Sequence, residues 1–262
     1  MTNLLQIFKL MRTTIWSFFL CIVSFQIFAQ GNYTLKSALN EPNPDLVREL
    51  SISSSADGHV PILPDLSRFK NLVKLSINQP KLGGLPASIG NLENLKVLVL
   101  DNCEKIVDIP NSFSKLKLEE FRAWNCSNLG NLSPLTNMST LKIVVFENEK
   151  SHISPDAMFV ENLINLEILT LRVSKGVSLS KLNKLRVLNT GDYLPSSLCN
   201  LQSLESISVS QGAYVDIPDC LGKIPKLKEI DLRLAEFTKS EIKELKKQYP
   251  HLKIYHQYGD QK

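Results

Sequence analysis

The chain is poor in the residues that build catalytic and metal sites. Its 262 residues include only four histidines, five cysteines and two tryptophans. His59, His152, His251 and His256 are scattered, and the last pair lies five apart instead of the four-residue step that sets two ligands on one helical face. No C-x-x-C occurs and no histidine cluster accompanies the cysteines, which argues against a zinc site. There is no G-x-G-x-x-G, no G-x-x-x-x-G-K-[ST] and no G-x-S-x-G, so the usual phosphate cradles and the nucleophile elbow are excluded. A net charge of +4 gives no basic excess of the kind that marks nucleic-acid binding. Beyond residue 29 there is no apolar run of membrane length. The expectation is a protein without cofactor, metal or catalytic residues, and not an enzyme.

What is present falls first at the N-terminus. Lys9 and Arg12 precede the charge-free run IWSFFLCIVSFQIFA, which closes on Ala29-Gln30. A basic start, a short apolar stretch and a small terminal residue describe a secretory leader over residues 1–29, with Met11 as an alternative start. Cys21 follows the bulky Phe19-Leu20, which does not suit lipid-anchor processing, and the C-terminal HQYGDQK is polar. The expectation is export to the periplasm, cell surface or medium by a bacterial type of leader. In that setting the sequons at Asn32, Asn125, Asn131 and Asn137 have no glycosylation role.

The dominant signal is repetition. Apolar hexads open at Val47, Leu72, Leu95, Leu118, Leu141, Leu166, Leu185, Leu204 and Leu227, with a looser one near Leu252. The steps are 25, 23, 23, 23, 25, 19, 19, 23 and 25 residues, the period of a solenoid whose units each hold one short strand. Within LVKLSINQPKLGGLPASIGNLENL, Leu75 and Ile77 alternate as on a half-buried strand, while Leu82, Leu85, Ile89 and Leu92 recur at helical or 3₁₀ steps. Gly83-Gly84 reads as the turn and Pro86 as the start of the return. About nine or ten parallel strands are expected, with bends over 141–204, where the units run 25, 19 and 19 residues.

These units resemble the leucine-rich repeat family. LPASIGNLENL, DIPNSFSKL, YLPSSLCNLQSL and DIPDCLGKIPKL are similar to its L-P-x-x-I-G-x-L-x-x-L subclass, and LVLDNCEKIVDIP and FRAWNCSNLGNL to the cysteine-bearing form of plant disease-resistance receptors. The resemblance spans about 46–256. It implies an α/β solenoid, a horseshoe with a parallel concave β-sheet and short helical or 3₁₀ returns, and a concave face used to bind proteins. Where the family places a buried asparagine, this chain has Ser55, Pro80, Cys103, Cys126, Glu149, Ser174, Tyr193, Gly212 and Ala235, so a continuous asparagine ladder is not expected.

The chain then divides into the leader 1–29, an N-terminal cap over 30–45, repeats over 46–237 and a capping helix and tail over 238–262. The cap signals are a short helix over 33–39 and a longer one over 239–249, opened by Thr238 with Ile242 and Leu245 inward. Solenoids need such caps to cover their end faces. Cys103 and Cys126 fall at equivalent positions of successive units, close enough for a disulfide. Stacked side chains point in parallel, however, which favours two buried thiols. Cys199 and Cys220 are non-equivalent and form the weaker pair.

The leading functional expectation is a recognition module that takes a protein or peptide on the concave sheet. A glycan-binding surface component and an enzyme with an unrecognised concave site are the alternatives. The outward positions of the central units read Val99/Asp101, Arg122/Trp124, Val145/Glu147 and Thr170/Arg172, flanked by Val97, Ile143 and Ile168. The outer units read Ser51/Ser53, Ser76/Asn78 and Ser208/Ser210. Trp and Arg are the residue types that dominate binding hot spots, so the eight central residues form the expected protein-binding patch.

Overall fold

The computed structural model describes residues 32–147, 156–191, 193–209 and 215–258. The leader 1–29 and the unit positions Glu149, Ser210 and Gly212 lie outside them. So do residues 148–155 of the long segment between the units at Leu141 and Leu166. Eleven strands form one parallel sheet in sequence order. They are β1 (Asn32–Thr34), β2 (Glu49–Ser53), β3 (Lys74–Asn78), β4 (Val97–Asp101), β5 (Glu120–Trp124), β6 (Ile143–Glu147), β7 (Ile168–Thr170), β8 (Val187–Thr190), β9 (Ser206–Val209), β10 (Glu229–Asp231) and β11 (Lys253–Tyr255). The count exceeds the expected nine or ten because the looser unit near Leu252 does form a strand, β11, and the N-terminal segment adds β1. Asn32–Thr34, read from the sequence as the start of a helix, pairs with β2 before α1 (Leu35–Leu39) begins.

Alternation along each strand sends one set of side chains inward. The register aligns Leu50, Leu75, Leu98, Phe121, Val144, Leu169, Leu188, Ile207, Ile230 and Ile254 in one column across ten strands. All are buried, and Leu75, Leu98, Phe121, Val144, Leu169, Leu188 and Ile207 show no exposed surface. The returns are short 3₁₀ turns, four of which follow a proline: Ala87–Asn91, Asn111–Lys115, Ser196–Asn200 and Asp219–Lys223. Proline pre-sets the extended entry and needs no donor at that point. They drop Ile89, Phe113, Leu198 and Leu221 into the core behind the sheet.

The glycine that matters sterically is not in the Gly83-Gly84 pair. Neither member adopts positive φ, and the space around Gly84 is open. At Gly90, by contrast, a Cβ would lie 2.5 Å from Ser112 Cβ and 2.6 Å from its carbonyl oxygen, so adjacent return turns touch there only because the side chain is absent.

Polar rungs do exist, in other places and of other residue types. Buried Gln79 receives Val60 N–H (3.0 Å) and donates to Gly58 O (2.9 Å), beside the Pro80 that cannot donate. Cys103 Sγ donates to Asp101 O (3.4 Å) and Cys126 Sγ to Trp124 O (3.3 Å). Thr190 Oγ1 accepts from Val173 N (3.2 Å). A second series precedes the strands: Asn71, Asn94 and Asn165 donate to Asp45 O, Lys70 O and Ser139 O at 3.1, 2.9 and 2.7 Å, and Thr140 to Leu118 O at 2.6 Å. Side-chain donors thus meet backbone carbonyls at both strand ends, half-buried beyond the strands and mostly exposed before them.

Two further helices lie near the ends of the sheet order. α2 (Ser54–Asp57) follows β2, and α3 (Lys239–Gln248) opens at Thr238 with a capping box to Glu241. Ile242 is buried and Leu245 packs against the core.

The two buried thiols at Cys103 and Cys126 are as expected, but the pair ranked weaker is the one that bonds. Cys199 and Cys220 are disulfide-bonded, with Cα atoms 5.8 Å apart, whereas Cys103 and Cys126 are buried free thiols. The staggered positions carry the bond because the two 3₁₀ turns that hold them face each other side on. The thiol pair sits in matching registers and shares a hydrogen bond instead. That bond, followed by burial, pushes the Cys126 thiol far above the ordinary cysteine range. Alkylation of the denatured, unreduced chain should therefore label Cys103 and Cys126 and leave Cys199 and Cys220 unlabelled. Labelling of all four would refute the pairing.

Candidate protein-binding face

The face opposite the core column carries the predicted patch. Val99, Arg122, Val145 and Thr170 are consecutive register partners across β4–β7, and Asp101, Trp124 and Glu147 across β4–β6. Seven of the eight residues are thus neighbours at the strand spacing of about 4.8 Å. The eighth, Arg172, lies beyond the end of β7. Its side chain leans over the next unit, where a Cβ on Gly191 would be 2.9 Å from Arg172 Cγ and 3.0 Å from Nε. The bare Gly191 backbone makes that room.

The patch differs in availability from the sequence expectation. Val145 and Thr170 are only 7% and 8% exposed, so they line the floor and do not project. Thr170 Oγ1 also accepts from Asn189 Nδ2 (2.9 Å). Glu147 is exposed, while Val99, Asp101, Arg122, Trp124 and Arg172 are half-buried. A row of apolar side chains, Val97, Ile143, Ile168 and Val187, runs along the same face and is interrupted by Glu120.

Glu120 is the residue that sequence reasoning missed. It lies two positions before Arg122 on β5, hence on the same face, and its carboxylate pairs with Arg122 Nε. Their side chains are 24% and 17% exposed. The Arg122 guanidinium carbon also sits 5.7 Å from the centre of the Trp124 ring, a cation–π distance. Arg122 is therefore held on two sides by its own strand. The i, i+2 pattern E-x-R-x-W was visible in the sequence, but it was read across strands and not along one.

At the end of β4, Asp101 accepts from Asn78 Nδ2 (2.7 Å), and burial raises its carboxyl above the usual range. Just beyond, Asn102 and Asn125 adopt φ of 50° and 51°. Asparagine tolerates this left-handed conformation, and it lets their N–H groups donate to Trp124 O and Glu147 O at 3.0 Å. The two cysteine-bearing units owe their inward-turned thiols to it.

One rim of the face is a row of alternating charge. Lys96, Glu119, Lys142, Glu167, Arg186, Glu205 and Lys228 occupy the same position in seven successive units, each linked by backbone hydrogen bond to the one before at 2.7–2.9 Å. Glu119 bridges Lys96 (3.4 Å) and Lys142 (2.7 Å), and Glu205 bridges Arg186 (2.9 Å) and Lys228 (2.7 Å). The hydrogen-bonded Glu119 raises the Lys142 pKa and Glu205 that of Arg186, with Glu167 between them adding a smaller push to both. On the opposite rim lies a shallow cleft of about 200 Å³, walled by Pro61, Ile62, Leu63, Gly83, Gly84, Leu85 and Pro86 and holding no titratable side chain. Among the described residues no group of three His, Cys, Asp or Glu is placed to hold a metal ion, and no helix is long and apolar enough to cross a membrane.

Comparison with known proteins finds leucine-rich repeat proteins among the chain's relatives and the same solenoid fold among solved structures. No protein-family model matches it. Disease resistance-like protein DSC1 of Arabidopsis thaliana is 25% identical over 183 residues, 65% of this chain and 15% of that protein. Receptor-like protein 39 of the same plant is 26% identical over 202 residues, 74% of this chain and 21% of that one. TMV resistance protein N of Nicotiana glutinosa is 29% identical over 195 residues, 68% of this chain and 16% of that one. The chain thus spans about a fifth or less of each of these relatives. Among solved structures, an internalin (inlF) of Listeria monocytogenes superposes with a TM-score of 0.58 at 20% identity, over 82% of this chain and 67% of that one. Toll of the Drosophila Toll–Spatzle complex gives 0.58 at 16%, over 80% of this chain and 32% of that one. The shared property is the fold, a leucine-rich repeat horseshoe with an open concave sheet.

The charged rim generates a pH dependence with a definite sign. Its cationic partners hold Glu119 below its ordinary value of 4.5 and Glu205 at about 2. A depressed folded-state value means the contribution is full above the unfolded value and is lost as pH falls through the folded one. Melting temperature should therefore begin to fall below about pH 4.5 and continue to about pH 2, modestly because these groups are exposed. Part of that acid slope should vanish in Glu205→Gln, and an unaltered slope would exclude the row from acid stability.

Proposed function

We propose that this chain is a non-catalytic recognition module, exported by its leader, that binds a protein or peptide on the concave sheet around Trp124. The observation that carries the reading is the half-buried Trp124 set between Asp101 and Glu147 in register and beside the apolar row. An aromatic with charged neighbours on an open sheet is what a binding surface needs and what folding does not require. The structural neighbour Toll forms a complex with Spatzle, which supports the same use of the fold. Export is supported by the bonded Cys199 and Cys220, since disulfides persist in oxidising compartments.

Trp124→Ala is the variant of choice. Arg122→Ala would strand Glu120 half-buried without its partner and confound binding with stability. Trp124→Ala should cost about 2 kcal/mol of affinity or more, roughly 30-fold, with little change in melting temperature. Full capture of native partners by that variant, after crosslinking and mass spectrometry, would move the site off this face. For export, N-terminal sequencing of native material should read from Gln30. A membrane-bound product that retains residues 1–29 would overturn it.

A further inference from the structure

The concave patch contains a carboxylate that no cation among the described residues neutralises. Asp101 closes β4, half-buried, and its side chain receives a hydrogen bond from the neutral amide of Asn78 at 2.7 Å. Among the described residues no Lys, Arg or His forms an ion pair with it. The cation nearest in the register, Arg122, is committed to Glu120 on its own strand and to the Trp124 ring. Trp124 is the direct register partner of Asp101, and Val97 and Val99 project from the same strand and face. A desolvated carboxylate without a counter-ion costs folding free energy unless something else supplies the positive charge. Each other element of a cation-binding subsite is in place: an anionic head group, an aromatic wall and an apolar floor.

We propose that Asp101, flanked by Trp124 and Asn78, receives an arginine or lysine side chain of the bound protein, whose aliphatic stem lies along Val99 and the indole. The partner segment is thus a basic residue set among apolar ones, matching the row of Val97, Ile143 and Ile168 on the neighbouring strands. Charge complementarity selects this occupant over an acidic segment, which would place like charge against Asp101. The cation–π face of the indole favours the same choice, since Trp is the best ring for it. This subsite rests on the reading of the concave sheet as the protein-binding face.

The test is selection of displayed random twelve-residue peptides on the full chain, with affinities read from the change in tryptophan fluorescence against Trp124→Ala as blank. Peptides that depend on Trp124 should carry Arg or Lys at one fixed position, and replacing that residue by Ala should weaken them at least tenfold. Asp101→Asn should weaken the same peptides at least tenfold while the melting temperature of the free protein holds or rises, because a desolvated charge has been removed. That rise separates a binding role from a structural one. Trp124-dependent peptides that lack a basic residue, or that bind Asp101→Asn unchanged, overturn the cation subsite and leave the concave face standing. Recovery of no Trp124-dependent peptide overturns both.

Discussion

Every other feature depends on the hydrogen-bonded stacking of one strand on the next. A single unit of roughly 23 residues cannot bury its own leucines, because Leu75 and Leu98 lie beside each other in register and are covered by the units on either side. Backbone bonding between parallel strands fixes the register, and register fixes which side chains share a column. The inward column becomes the continuous core, and the outward columns become a surface whose composition no packing requirement dictates. The sheet therefore offers a wide face free for recognition, held rigid by neighbours. Short 3₁₀ returns behind it keep the rear compact.

Stacking alone leaves carbonyls at the strand ends without sheet partners, and the chain meets several of them with local chemistry. The carbonyls are satisfied by a mixed set of donors, Gln79, Cys103, Cys126, Asn94 and Asn165 among them, at whichever strand end the sequence permits. The alternating row from Lys96 to Lys228 adds register selectivity, since a slip by one whole unit would set like charges side by side. Individually its exposed pairs stabilise little; as a continuous row they discriminate between alignments. At the C-terminal end the Cys199–Cys220 bond ties together two return turns that belong to units of different length.

The central units trade some of this regularity for surface chemistry. In the outer units the corresponding positions are small and polar, with Ser53 capping α2 and Asn78 donating to Asp101. In the centre, Glu120, Arg122 and Trp124 lock one another along a single strand, so the indole is presented in a fixed orientation. Pre-organisation of that kind lowers the ordering cost of a complex. Asp101 forms no ion pair with a cation of the described chain, and the cost of its desolvation falls on the free protein, not on the complex.

The repeat period, the parallel sheet and the core column were legible in the sequence, because a period-two strand inside a 23-residue unit recurs too often to have another reading. Leu72, Leu75 and Ile77 announce their burial by spacing, and Thr238 with Glu241 announces a helix start by capping chemistry. What the sequence could not decide is what depends on angles between units. Cys199 and Cys220 looked mismatched because sequence alignment assumes that equivalent positions meet, whereas the return turns are staggered in space. Gly83-Gly84 looked like the essential glycine pair, yet the steric demand falls on Gly90, where two turns touch. Arg122 looked available to a partner, but its nearest counter-charge was two residues away on its own strand. Periodicity is a one-dimensional property and survives in the sequence; the direction in which a side chain leaves a curved sheet is not, and only the folded stack sets it.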